Sequence, residues 1–470
     1  MCSSDLIDIP QSHDLGEFDV LDEEGISVSK QIMGAQDVEP VLERMTDRPM
    51  YFKMRRYDVY LDLQGIVPMG YKTFSIRPTE KKKKVGGKIG KIGKKGPVLE
   101  NEFLRIQVHR NGALSILNKK SGHAYERVAY FDDEGEAGHA WVHKPCPPHV
   151  DTTRSRPFIV LLENGSLSAT VLVEHTMRVP ADPKGEAGGN IRVRMKAGLK
   201  KGAKIVELEV EVENAMQNHR LRAMFPTRLK KATHHWGEGQ FDVVKRDIRR
   251  PDTRNWLEQP MYDFPMHHFM DISDGENGLS IFAQGLKEYE VMDDEQITVA
   301  VTLLRAFSYT IQPSSRQDYS YQQGSQCLGR QVYKMALYPH EGDWVVGNVY
   351  EEALKFDLEP RLFEIGPASG TLPPTLSFLE IVPSSLVFSA LKLPETPSKN
   401  EFVLRIYNPT DRDIPGRIRS FFRLEKVQAC TLEEKALSIL PVQSQNEVEV
   451  NVPKKKICTL RMTFFEERTI

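Results

Sequence analysis

Apolar and polar residues alternate with a period of two along much of this chain. In KIVELEVEVEN (204–214), Val206, Leu208, Val210 and Val212 fall on one face and Glu207, Glu209, Glu211 and Glu213 on the other, the pattern of a half-buried antiparallel strand. ITVAVTLLR (297–305) and EVEVNVP (447–453) repeat it. Asn111-Gly112 separates FLRIQVHR from ALSILN, and Asn164-Gly165 separates FIVLLE from SLSATVLVEH, each at hairpin spacing. Helical patterning is confined to GNVYEEALKF (347–356) and TLEEKAL (431–437). The expected fold class is all-β, built of sandwiches, because no alternation of strands and helices offers a parallel sheet.

Composition supplies the boundaries. TEKKKKVGGKIGKIGKKGP (79–97) is nearly all Lys and Gly, so a solvated, self-repelling linker is expected there, in preference to an import signal or an anion patch. Gly and Pro cluster again in IGPASGTLPPTLS (365–377). The chain thus reads as a small β domain over 1–78, a linker over 79–97, a large domain over 98–365 and a smaller sandwich over 366–470. Cys2 to Leu6 back-translates to TGC TCT TCC GAT CT, which resembles the end of a common sequencing adapter, and a truncated N-terminus is therefore expected.

Lys plus Arg (63) nearly balances Asp plus Glu (65) over 470 residues. That balance gives no reason to expect a nucleic-acid or acidic-membrane partner. No window approaches the run of roughly 20 apolar residues a membrane span needs, and the N-terminus lacks a basic region followed by an apolar core. Five Cys at 2, 146, 327, 430 and 458 form no CxxC pair, which points away from a disulfide framework and towards the cytoplasm.

The candidate chemistry concentrates in FDDEGEAGHAWVHKPCPPH (131–149). His139, His143, Cys146 and His149 are ligand types, but Pro145, Pro147 and Pro148 forbid the helix that would align them, so a metal site is disfavoured. A solvated loop and a ligand contact both remain open; an exposed Trp141 on a Gly-rich loop suits the apolar face of a pyranose, with His139 beside it for hydroxyls. HHWGEGQFDVVKRDIRRPDTRNW (234–256) is read as a long connection, either a pocket rim or an interdomain contact, and His267-His268 as structural. Arg305, at the strand end within TLLRAF, and Gln326, at the start of GSQCLGRQVYK, are read as strand-end residues, either edge groups or hydroxyl binders. No GxSxG, HExxH or phosphate loop is present and no carboxylate pair is marked as nucleophile and acid, so no catalytic residue is assigned.

The order of segments carries more. LENEFLRIQVHRNGALSILNKKSGHAY, FDDEGEAGHAW, LEQPMYDFPMHHFMD, GLSIFAQGLKEYEV, TLLRAF, QCLGRQVYKMALYPHEGDW, FSALKLPE and FVLRIYNPT together resemble, block by block, the C-terminal β half of family 38 α-mannosidases, and residues 15–78 resemble the small β domain before it. The resemblance implies a galactose-mutarotase-like supersandwich flanked by two smaller β-sandwich domains. It implies retaining hydrolysis of α-mannosides with an Asp nucleophile beside zinc, whose ligands lie in an N-terminal catalytic domain that this chain lacks, so this chain alone is expected to be inactive. The partners so implied are α-mannoside oligosaccharides, that catalytic domain and, since family members are often oligomeric, further copies of the chain. By position, Trp141 falls where many relatives carry a Tyr against the sugar, and His139, Gln326 and Arg305 follow as substrate-binding candidates. The rival expectation is a stand-alone carbohydrate-binding or scaffold protein; a mutarotase-like epimerase rests on fold analogy alone.

Overall fold

The computed structural model describes residues 2–13, 17–43, 46–79, 87–179, 188–312, 315–318, 323–366, 369–396 and 398–465. It divides the chain into two compact units, a larger one of residues 86–239 and 244–358 and a smaller one of 1–85, 240–243 and 359–470.

Among the described residues, the larger unit holds antiparallel sheets of five, six and nine strands. Val206–Asn214 lies within the nine-stranded sheet, between Asn190–Lys200 and Gly329–Glu341. Its Val206, Leu208, Val210 and Val212 are buried, each contributing about 1.5–3 kcal/mol by leaving water. On its other face Glu207, Glu209 and Glu211 pair with Lys200, Lys196 and Arg194 across the ladder. The six-stranded sheet runs, edge to edge, Pro145–Asp151, Tyr130–Glu136, His219–Pro226, Thr298–Arg305, Glu288–Val291 and Asp263–Pro265. Leu104, Ile116, Val171, Val193, Val210, Leu221 and Val301 belong to one apolar cluster, so the three sheets share a core. Both Asn-Gly signals close hairpins, Leu104–Val108 with Leu114–Asn118 and Phe158–Asn164 with Ser168–Arg178. Gly112 supplies a positive φ of 83°, where an added Cβ would meet Val173 at 2.5 Å.

Two expectations need correction. Of the expected linker, residues 80–86 lie outside the described residues, but Gly90–Gly93 pairs with Gly96–Glu100 as a hairpin, and Ile89 is buried in the core. A single buried apolar residue and ladder hydrogen bonds suffice to order a Lys/Gly segment against an existing sheet. TLEEKAL is not a helix: Glu434 adopts φ 64°, Thr431 Oγ1 accepts from Lys435 N at 3.2 Å, and Ala436–Leu440 pairs with Leu424–Cys430. Seven residues are too few to repay helix nucleation when a sheet edge offers hydrogen bonds. GNVYEEALKF does form a helix, Val349–Asp357, burying Val349, Tyr350 and Ala353 and tying Lys355 to Glu351 at 2.6 Å.

The smaller unit draws on both ends of the sequence. Residues 1–78 and 366–470, expected as separate domains, fall in one unit, in which Gly70–Lys72 pairs with Thr375–Ser377. Each keeps its own apolar cluster: Ile7, Phe18, Val59 and Leu61 in the first part, and Leu404, Ile406, Ile418, Val448 and Leu460 between a four- and a five-stranded sheet in the second.

Candidate functional site

Alternation in FDDEGE decides what the strand Tyr130–Glu136 presents. Phe131 and Asp133 are buried on the core side, while Asp132, Glu134 and Glu136 project from the other face. Directly opposite, Asp132 faces Arg222 and Glu134 faces Arg220. Arg220 binds Glu134 at 2.9 Å and Asp263 at 3.0 Å; Arg222 binds Asp132 at 3.2 Å and Glu290 at 3.0 Å. The two arginine side chains are only 4% and 7% exposed, so removing a single partner strands a buried charge, at about 3–5 kcal/mol. On the core side His219 bridges Asp133 at 2.7 Å and Asn214 at 3.0 Å, and burial pushes the Asp133 carboxyl up despite that bond.

Glu136, with a side chain 0% exposed, ends the strand and holds the following loop. Its carboxylate accepts from Gly138 N at 2.5 Å, Lys144 N at 3.0 Å, His143 Nδ1 at 2.5 Å and Arg305 Nε at 2.7 Å. Arg305 also donates through its second nitrogen to His139 O, and its guanidinium lies over the Phe307 ring at 5.1 Å. Gly138 has no room for a side chain, since a Cβ would fall 2.1 Å from Val142 O. His139 and Val142 then exchange backbone hydrogen bonds at 3.0 and 3.2 Å, leaving Ala140 and Trp141 as the tip of a tight turn. Trp141 N donates to His139 Nδ1 at 3.2 Å, and the indole is 76% exposed.

Burial opposes ionisation of both glutamates, but the cations prevail. His143, Arg222 and Arg220 hold Glu134 down at about 2, and His143 with Arg305 does the same for Glu136. Burial likewise opposes protonation of His143, which sits 3.3 Å from Glu134 and 2.5 Å from Glu136, yet the two carboxylates raise it above its ordinary value. The charges of this region therefore hold the turn in place, and the indole is what it presents outward.

Trp141, His139 and Arg305 are brought together, in unequal roles. His139 caps the turn and Arg305 braces it through Glu136 and His139 O. Gln326 lies apart from them and is 0% exposed. Its Oε1 accepts from Asn218 N at 2.9 Å, and its Nε2 donates to Asn218 Oδ1 at 3.1 Å and Ser308 Oγ at 3.0 Å. A polar side chain at a strand entry reads alike whether it points to water or to buried partners. The sequence reading missed Glu136 and His143 as the frame, though the period-two acids of DDEGE and the period-two arginines of HRLR were matching signals.

The residues around Trp141 do not fit a bound zinc ion. His143 is engaged by Glu134 and Glu136, His149 pairs with Asp132 at 3.0 Å, and the Cys146 thiol lies 3.9 Å from Pro147 O. Among the described residues, a group of His, Cys, Asp or Glu side chains with ligand atoms within 4.8 Å of one another occurs at Glu238, His267 and His268. The segment 234–256 is also less of a connection than expected. His234–Gly239 and Asp242–Asp247 are strands ending the nine-stranded sheet, and the irregular part begins only after them.

Comparison with known proteins gives concordant findings. Residues 99–316 match the family profile described as glycosyl hydrolases family 38 C-terminal domain, and residues 385–460 that of the family 38 C-terminal beta sandwich domain. A curated protein named putative mannosylglycerate hydrolase, from Halalkalibacterium halodurans, is 29% identical over 440 residues, covering 88% of this chain and 46% of its own length. This chain thus spans about half the length of that relative. A crystal structure described as an alpha-mannosidase from Enterococcus faecalis V583 superposes with a TM-score of 0.82 at 20% identity, over 98% of this chain and 54% of that one. A second, described as a family 38 protein from Enterococcus faecalis, gives 0.80 at 19%, over 98% and 56%. At these identities the two structures establish the fold.

Proposed function

Because the chain belongs to glycoside hydrolase family 38, we propose that it forms the β portion of an α-mannoside hydrolase and supplies one wall of the sugar site through the turn that carries Trp141. The observation that carries this reading is the contrast within one loop: a 76% exposed indole above a fully buried carboxylate. A pyranose ring presents an apolar face of C–H groups, which an exposed indole on a turn of fixed backbone can accept. Arg305, Glu136 and His143 orient the turn without touching the sugar. The names of the relatives, an alpha-mannosidase and a putative mannosylglycerate hydrolase, support an α-linked mannosyl group as the substrate class.

In this reading the nucleophile, the acid and the zinc ligands come from a catalytic domain that the family resemblance places N-terminal to this region. That domain's zinc would bind sugar hydroxyls; the present residues bind and orient. The 470-residue chain by itself is then expected to bind α-mannosides weakly and to hydrolyse none. Titrating methyl α-mannoside and mannosylglycerate into the chain by isothermal calorimetry, and assaying 4-nitrophenyl α-mannoside turnover, tests both halves. Trp141→Ala should weaken binding about tenfold or more, in line with 1–3 kcal/mol for one stacked ring. Binding untouched by that substitution overturns the wall assignment, and turnover by the isolated chain overturns the placement of catalysis elsewhere. Full affinity without turnover, lost in Trp141→Ala, is also what a stand-alone carbohydrate-binding protein would show, and restoring hydrolysis by adding the catalytic domain of a relative separates the two.

A further inference from the structure

We infer that Glu238, His267 and His268 form a binding site for a zinc-like divalent transition-metal ion, distinct from the zinc that the family resemblance places in an N-terminal domain. The sheet builds it. His234–Gly239 pairs with Phe269–Ser273 in the register His235 to Ile272 and Gly237 to Met270, and His267 N donates to Glu238 O at 2.8 Å. That register sets two consecutive histidines against one glutamate, although 29 residues separate them in sequence.

The ligand atoms converge. Glu238 Oε2 lies 3.2 Å from His268 Nδ1, Glu238 Oε1 lies 3.9 Å from His267 Nδ1, and all three residues offer atoms within 4.8 Å of one another. Three atoms 4.8 Å apart sit about 2.8 Å from their common centre, so an inward shift of about 0.7 Å reaches the ~2.1 Å zinc distance. Glu238 is buried, at 2% exposure, whereas the histidine side chains are 38% and 27% exposed, which leaves an approach and room for a water ligand.

A second layer of groups surrounds these three. Tyr350, from the helix Val349–Asp357, donates its hydroxyl to Glu238 Oε1 at 2.8 Å, and His268 N donates to Oε2 at 2.7 Å, fixing the carboxylate. Asp357, at the far end of the same helix, stands 3.8 Å from His268 Nε2. With Nδ1 on a metal, His268 would carry its proton on Nε2, facing Asp357, which is the carboxylate–histidine–metal arrangement that sets tautomer and ring orientation. Two imidazoles and one carboxylate suit zinc and the later first-row divalent ions over magnesium or calcium. Lys287 opposes the site only indirectly, since its ammonium is held by His267 O at 3.0 Å. Such an ion would join the edge of the nine-stranded sheet to the helix.

The test uses the untagged 470-residue chain, stripped with chelator and titrated with Co(II), following visible absorption, with Zn(II) displacement and elemental analysis for stoichiometry. One Co(II) per chain, displaced by Zn(II), is expected. His267→Ala should weaken binding more than tenfold and Asp357→Asn by about tenfold or more, the latter as a positioning effect. The metal-free melting temperature of His267→Ala should stay at that of the parent, since the ring is partly exposed. Failure to bind one equivalent at micromolar Co(II), or binding that His267→Ala leaves unchanged, overturns the assignment. A melting temperature that Zn(II) raises in the parent but not in His267→Ala supports it independently of the spectrum.

Discussion

Two loops of the larger unit each expose a tryptophan, and they differ in what lies beneath it. Trp141 stands 76% exposed on a turn whose two sides, at Gly138 and Lys144, are tied to the buried Glu136. Trp256 stands 52% exposed on the stretch after Asp247; that stretch is anchored at Arg250, which pairs with Glu290, but residues 252–259 around the ring are held by local contacts. Arg254 binds Asp252 at 2.7 Å, Thr253 Oγ1 donates to Gln259 Oε1 at 2.6 Å, and Trp256 N donates to Thr253 O at 2.9 Å. Asp252 and Arg254 are both well exposed, and surface pairs of that kind contribute little. An exposed aromatic ring therefore says little by itself. A buried ionic frame below the ring indicates that its position matters, because desolvating those charges is costly and nothing in the fold alone requires it.

The largest separation between the loops should come from Glu136→Ala, which deprives Arg305, His143 and two backbone N–H groups of their acceptor. Unfolding free energy measured in urea should fall by about 3–5 kcal/mol, whereas Asp252→Ala in the other loop should change nothing measurable. Similar values for the two would erase the distinction. Next comes Arg305→Ala, expected to cost about 2–3 kcal/mol by leaving Glu136 short of one charged donor, with binding of α-mannosides weakened although Arg305 does not reach them. If that substitution destabilises but leaves affinity intact, Arg305 braces the fold and not the turn.

Acidity gives a smaller and signed effect. Glu134 and Glu136 are depressed from 4.5 to about 2, so what they contribute is present above 4.5 and lost as pH falls towards 2. His143 is raised from 6.5, so its contribution is complete below 6.5 and lost as pH rises through its folded value. Amide exchange in residues 137–144 should therefore be slowest between 4.5 and 6.5 once corrected for intrinsic rates, and in residues 252–259 it should show no such minimum. The smallest effect on stability is expected for Trp141→Ala and Trp256→Ala, both within about 0.5 kcal/mol of the parent. Sugar binding should fall in the first alone, and a fall in both would make the loops equivalent after all.

The alternation in KIVELEVEVEN, the two Asn-Gly turns and the helix at Val349 were legible because each depends on residues a few positions apart. Trp141 was legible for the same reason, as an aromatic residue among glycines. Its support was not, since Glu136 and Arg305 are 169 residues apart and meet only because their strands share a sheet. The burial of Gln326 and the ordering of the Lys/Gly segment were not legible, for one reason. In both, composition suggests water, but a neighbouring strand already in place decides burial, as Ile89 and the pair Asn218–Ser308 show.

The division of labour in the Trp141 turn also bears on how such a protein changes over generations. Its shape is inherited through Glu136, Gly138, His143 and Arg305, while Trp141 contributes only a backbone N–H to it, which any residue but proline can supply. A mutation at the tip can therefore alter the presented side chain in one step, with no compensating change elsewhere. A mutation in the frame must wait for its partners, so the displayed side chain is free to drift faster than the architecture that displays it.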